Sequence, residues 1–322
     1  MDNIKDTIAQ DFLSRKVPNA AQQFKDLPQT GTYEEFEDLP YYPDIFSDHI
    51  QGYTPYHDGR RMYYVLTQSL KGRSSGRIII KKTPKGDCDE IETPDGWNHP
   101  GGIQAVGRFL FVPCEHGEEF RVFVYDLVDS RLVHTLEFAH KAGCLGITDI
   151  QHGGTTQYLL VIGDNTVYHG YLMETPKDGK MSTLKCESLG KFELTGLDGK
   201  VVKGGKIDCQ GFGLVTEEGT GDVYMVALKS NGKDKFTYED FAYLIKLKVD
   251  KPIGFHKDTI ARRHLKNNGG VTGVAGSHFR WGAGIRVDLN NRLAVLVTSR
   301  NIIGKLDEKG LALNKLDTTW WI

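Results

Sequence analysis

Short runs of β-branched and aromatic residues, bounded by Gly, Asn and Asp, recur along most of the chain. "RFLFVPCE" (108–115), "EFRVFVYDL" (119–127) and "RLVHTLEF" (131–138) are the clearest. Such residues suit a pleated, half-buried surface, and the polar clusters between them suit tight turns. The connection "VDS" between the last two runs has hairpin length. With "GGIQAVG" in front, the pattern predicts a four-stranded antiparallel meander over 99–138.

The same grammar predicts further sets over 49–94, 140–192 and 208–250, and a last one over 278–322 that starts with "WGAGIRVDLNNRLAVLVTSRN". Together with 97–138, repeats of this length and content predict an all-β, five-bladed β-propeller. The segment "TGTYEEFEDL" (30–39) reads as an outermost strand without inner strands before it. The last set has inner strands and no outermost one. If 30–39 completes that last blade, the ring closes and no sheet edge stays open. A sixth blade is the alternative, because 251–276 has room for strands. The domain reading is therefore an N-terminal helix and linker over 1–29 and one propeller over 30–322. The helix is expected over 2–15, where Ile4, Ile8 and Phe12 recur at intervals of four and "VP" (17–18) ends the pattern. Two departures, 229–240 and 254–272, are expected to lie on a face of the ring.

Composition narrows the function classes. Lys+Arg total 40 against 42 Asp+Glu, so a chain of 322 residues has a net charge of −2. That is not the basic excess of a nucleic-acid binder. The most apolar runs, such as "YLLVIG" (158–163), are too short to cross a bilayer as a helix. The five cysteines are scattered with no CxxC pair, which predicts reduced thiols and a cytoplasmic setting. There is no GxSxG elbow, no GxxxxGK[ST] phosphate loop and no HExxH, so no nucleotide cofactor is expected.

Aligning the sets on their first strands brings His49, His99, His140 and Asp208 into register, each three residues before a glycine. His278 precedes "FRWG", one residue longer. First strands of propeller blades line the central channel, so these positions would face the axis together. A ring of imidazoles with a carboxylate is a candidate site for iron, copper, zinc or nickel. His49, His99, His140 and His278 would be the ligands, with Asp208 a ligand or an acceptor orienting one of them. The same positions would equally suit buried hydrogen bonds tying blade to blade. Trp97 and Trp281 are candidate pocket walls, and Arg280 a candidate anion-binding group. Glu115, His116, Glu217 and Glu218 lie in turns, where such residues are common.

The stretch from about 30 to 322 resembles the β-propeller superfamily, in architecture rather than through one family's motif. The four histidines resemble the iron site of carotenoid-cleaving oxygenases, which are longer, seven-bladed propellers; that resemblance implies a redox metal. Five-bladed glycosidases of the arabinanase and invertase type place carboxylates in the channel, where this chain has histidines, and "WNHPGG" only distantly echoes the invertase "NDPNG". Lectins of the tachylectin type have near-identical blades, and these blades diverge. Two functions are carried forward. One is an enzyme acting on a small molecule at the channel mouth, through a transition metal or through histidine acid–base chemistry. The other is a non-catalytic binding or scaffold propeller recognising a protein or glycan, with the histidines architectural.

Overall fold

The computed structural model describes residues 13–40, 49–57, 62–70, 72–164, 166–174, 181, 184–194, 211–232, 238–257, 260–266, 277–300, 302–306 and 312–322. The protein is an all-β propeller. After β1 (Thr32–Phe36), the first set is β2 (His49–His57), β3 (Met62–Ser69), β4 (Arg77–Lys81) and β5 (Cys88–Glu92). The second set comprises β6 (His99–Pro100), β7 (Gln104–Val106), β8 (Phe109–His116), β9 (Glu119–Asp126) and β10 (Arg131–Phe138). The third is β11 (Cys144–His152), β12 (Thr155–Asp164), β13 (Val167–Glu174) and β14 (Cys186–Glu193). The fourth is β15 (Gly211–Thr216), β16 (Val223–Gly232), β17 (Tyr238–Lys248), β18 (Gly254–Phe255) and β19 (Ala261–Leu265). The last is β20 (Ala283–Val287), β21 (Leu293–Thr298), β22 (Ile303–Leu306) and β23 (Ala312–Trp321). Each set is an antiparallel meander, and β18 and β19, which are the described strands of the stretch with room for a further blade, both pair with β17.

The first strands β2, β7, β11, β15 and β20 touch one another in cyclic order. Apolar side chains fill the cleft between each set and the next. One core joins Val65 and Ile78 to Leu110 and Val112, another joins Phe111 and Val122 to Ile147 and Leu160. The following pair join Leu159 and Val161 to Met225 and Ile245, and Val226 and Leu244 to Val295 and Val297. The last joins Leu66 and Ile79 to Leu296 and Leu316. A strand covered on both faces needs apolar side chains on both. This is why β4 and the first six residues of β8 are wholly buried while outer β10 buries only Leu136.

The ends of the chain meet in one sheet. β1 lies antiparallel to β23 from Thr32↔Trp320 to Phe36↔Leu316, next to β21 and β20. Lys315 Nζ donates to Glu35 Oε1 at 2.5 Å and Glu37 Oε1 at 3.2 Å, and Thr318 Oγ1 to Glu34 O at 2.9 Å. A parallel bridge, Gly52↔Ala283, joins this sheet to the first set.

All but the last three residues of the helix expected over 2–15 lie outside the described residues, and 13–16 have no regular structure. The helix α1 is Ala20–Asp26, after the proline rather than before it. Asn19 caps it by accepting from Gln22 N at 3.0 Å, and Ala20 and Phe24, one turn apart, are buried. No helix among the described residues is long and apolar enough to cross a membrane.

One side chain ties three first strands. Gln104 Oε1 accepts from Ile147 N (2.9 Å) and Leu214 N (2.8 Å), and its Nε2 donates to Leu214 O at 2.8 Å. Gln104→Ala strands these three buried groups, and the free energy of urea unfolding is expected to fall by about 2–4 kcal/mol. A change below about 0.5 kcal/mol would show that the tie carries no stability.

Candidate active site at the histidine mouth

Two glycines near the histidines, Gly52 and Gly101, answer to crowding. A Cβ on Gly52 would lie 2.7 Å from both Gly101 O and Thr67 Oγ1, and one on Gly101 would collide with Gly143 O. First strands approach so closely there that a side chain does not fit.

The rings then diverge. His49 and His99 are neighbours, with centroids 6.2 Å apart, and the Gln51 amide lies between them, its Nε2 2.5 Å from His49 Nε2 and 2.8 Å from His99 Nε2. His99 Nδ1 sits 3.3 Å from Glu115 Oε2 across the β6–β8 pair. His140 goes elsewhere, because 140–143 precede β11 and turn the ring toward β13. It stacks on His169 at 3.6 Å, and its Nε2 lies 2.5 Å from Tyr171 Oη. His278 belongs to a third environment, with Nδ1 2.8 Å from Asp240 Oδ2. The expected ring of four metal ligands is therefore not assembled. Among the described residues no group of three or more His, Cys, Asp or Glu is placed to hold a metal ion. The donor set does not fit a resident iron, copper, zinc or nickel: Gln51 stands between the one adjacent pair, and the other two rings are held by separate strands. Asp208 lies outside the described residues.

What the fold does bring together is a crescent on the side where first strands begin. Trp281 contacts His49 (centroids 6.1 Å) and is flanked by the guanidinium carbons of Arg280 (5.4 Å) and Arg300 (5.0 Å). Arg280 Nη1 donates to Tyr238 Oη at 3.0 Å, and the Tyr238 ring lies 4.9 Å from that of His278. Asp240 is 3% exposed. Its Oδ1 accepts from Ser230 Oγ and from Phe279 N (3.2 Å), which leaves Oδ2 aimed at the imidazole. A carboxylate so fixed sets both the tilt of the His278 ring and which nitrogen carries the proton.

Trp97 is not a pocket wall. It is 5% exposed, packs edge-on against Phe123 (5.4 Å), and lies under the Arg121 guanidinium at 4.8 Å. Gln51, Tyr238, Asp240 and Arg300 escaped the sequence reading. Asp240 had a legible signal: it ends the 229–240 departure, where an acid stands beside an aromatic in "TYEDF".

No protein-family model matches the sequence, and no curated protein does. Among solved structures, the chain is similar to the catalytic domain of a GH62 α-L-arabinofuranosidase from Coprinopsis cinerea. The identity is 9%, the match covers 91% of this chain and 98% of that one, and the TM-score is 0.48. That likeness lends this chain neither a residue role nor an activity.

Trp97→Ala, which empties a core position, is expected to cost about 3–5 kcal/mol in denaturant unfolding. Trp281→Ala, at the mouth, should cost less than about half of that. Equal losses would place Trp281 in the core.

Proposed function

We propose that residues 30–322 form a single five-bladed propeller, closed by β1, and that its histidine mouth is the active site of an enzyme acting on a small molecule with an acidic group. The observation that carries the reading is the His278–Asp240 pair. A carboxylate shut away from water, whose Oδ1 is pinned by Ser230 and the Phe279 amide, keeps its Oδ2 for Nδ1. An imidazole that donates from Nδ1 offers Nε2 as the proton-transferring nitrogen, and the carboxylate stabilises the imidazolium formed on accepting a proton.

The neighbours supply binding. Arg280, held at a defined angle by Tyr238, presents a planar cation suited to a carboxylate or phosphate. Trp281 offers an aromatic face between two guanidinium groups, on which a flat or ring-shaped substrate can stack. His99 with Glu115 forms a second imidazole–carboxylate pair across the mouth, more open to water at 41% and 33% side-chain exposure. Two such pairs in different environments can divide the acid and base roles. The reading is metal-free, because a metal between His49 and His99 would have to displace the Gln51 amide.

A panel of p-nitrophenyl esters, phosphates and uronides, with wild type and His278→Gln, tests this. His278→Gln keeps a hydrogen-bonding group near Asp240 but cannot transfer a proton. Turnover of at least one acidic substrate is expected, falling by about 10²–10⁴-fold in His278→Gln with unfolding still cooperative. Saturable binding without turnover would turn the mouth into a recognition surface, the non-catalytic alternative. Equal turnover by both proteins would remove His278 from the chemistry.

A further inference from the structure

A second hollow lies away from the histidine mouth. A cavity of about 490 Å³ lies where the first strands end, lined by Thr54 to His57 of β2, Gln104 of β7, Leu214 of β15 and Arg286 of β20. The segment at 13–15 closes part of it. Among the described residues its lining is one-sided in charge: Arg15, His57, Arg108 and Arg286 contribute, and no Asp or Glu does.

The four are not equivalent. Arg108 is matched by Asp126, with Nε 2.8 Å from Oδ1 and Nη2 2.5 Å from Oδ2. Arg286 has no such partner: no carboxylate of the described residues makes an ion pair with it. Its guanidinium lies 4.8 Å from the Trp320 ring centre, its Nη1 approaches Met62 Sδ at 2.6 Å, and its Nε is buried with no hydrogen-bond partner. Thioether sulfur is a weak acceptor.

The acidic groups facing Arg286 do not make up the deficit. Asp288 is committed to Arg292, at 2.9 Å from its Nε, and to the amides of Asn290 and Arg292. Burial raises the Glu34 carboxyl from its ordinary value, against the pull of Arg286, and it pushes the Tyr64 phenol up to about 12 and raises that of Tyr53. None of the three makes an ion pair or hydrogen bond with Arg286 among the described residues. A guanidinium taken out of water without a counter-charge is costly, so a site built this way is completed by an anion.

We propose that this second cavity binds a small organic anion, its carboxylate or phosphate paired with Arg286 and reached by Arg15, its apolar part against Tyr56, Leu214 and Ile285. The volume suits a ligand of drug-like size. Arg15 lies on the segment that partly closes the cavity, so the ligand would also fasten that segment. Ser14 N already donates to Asp149 Oδ1 at 2.6 Å, and Val17 N to Thr216 O at 3.1 Å.

Calorimetric titration of the full chain with phenyl phosphate, with benzoate and with uncharged benzamide tests the site. Each is repeated in Arg280→Ala to remove the anion group of the other mouth. Saturable binding of phenyl phosphate, of benzoate or of both is expected, persisting in Arg280→Ala, with none for benzamide; which anion binds more tightly identifies the head group. Arg286→Met, close in length and uncharged, should weaken binding by at least about tenfold. Should that variant not fold, Arg15→Ala, on an exposed segment, should weaken binding by about threefold or more. Three results would overturn the proposal: no saturable binding of either anion at millimolar concentration, equal binding of benzamide, or binding lost in Arg280→Ala and kept in Arg286→Met.

Discussion

Five residues near the start of the chain pair with the strand that ends it, and both mouths depend on that pairing. β1 supplies the outer edge that β23 lacks, so the N-terminal and C-terminal parts hold each other through a ladder of hydrogen bonds. Side chains reinforce it: Lys315 sits between Glu35 and Glu37, and Tyr33 Oη donates to Asp317 Oδ1 at 2.8 Å. Beside it, Gly52 and Ala283 bring the first and last sets together at the axis. Pairing across so long a sequence separation makes loop closure an early cost, recovered only when the whole ring is formed. The expected consequence is that stability is shared around the ring rather than resident in single sheets.

Crowding at the axis then distributes the chemistry. First strands lie so close that backbone faces backbone at Gly52 and Gly101, and polar side chains are used there as ties, as Gln104 is. Functional side chains are displaced to where strands begin or end. Strand beginnings carry His49, His99, Trp281 and the His278–Asp240 pair; strand ends carry His57 and Arg286. The two mouths differ in their charge balance. Imidazoles and carboxylates meet at one, whereas the cavity at the other has cations and no acid among the described residues of its lining.

Much of the architecture was legible because its signals are local. Runs such as 108–115 and 119–127 have too many buried positions to be anything but shared-core strands, and 30–39 reads as a strand in want of a sheet. The short helix at Ala20–Asp26 escaped the sequence reading because the apolar face of "AAQQFKD", capped by Asn19, shows only once Ala20 and Phe24 meet the core near Val226. The histidine register was real as a sequence pattern but did not determine direction. Where a ring ends up depends on whether its residue lies within a strand, as His49 and His99 do, or in the turn before one, as His140 does. Partners of the kind that matter most, Asp240 for His278 and Gln51 for His99, follow from tertiary placement that no spacing encodes. Trp97 and Trp281 look alike in sequence, and only the packing of Phe123 and Arg121 on the first separates plug from wall.

The central claim is that Asp240 fixes His278 as a proton-transferring imidazole. Nitrogen-15 NMR of the histidine rings, assigned with His278→Gln and read at a pH where the ring is neutral, tests it most directly. The account predicts that the proton of His278 resides on Nδ1, hydrogen-bonded to Asp240, and that Asp240→Asn disturbs this state. A neutral ring protonated at Nε2, or a mixture of tautomers indifferent to Asp240→Asn, would contradict it.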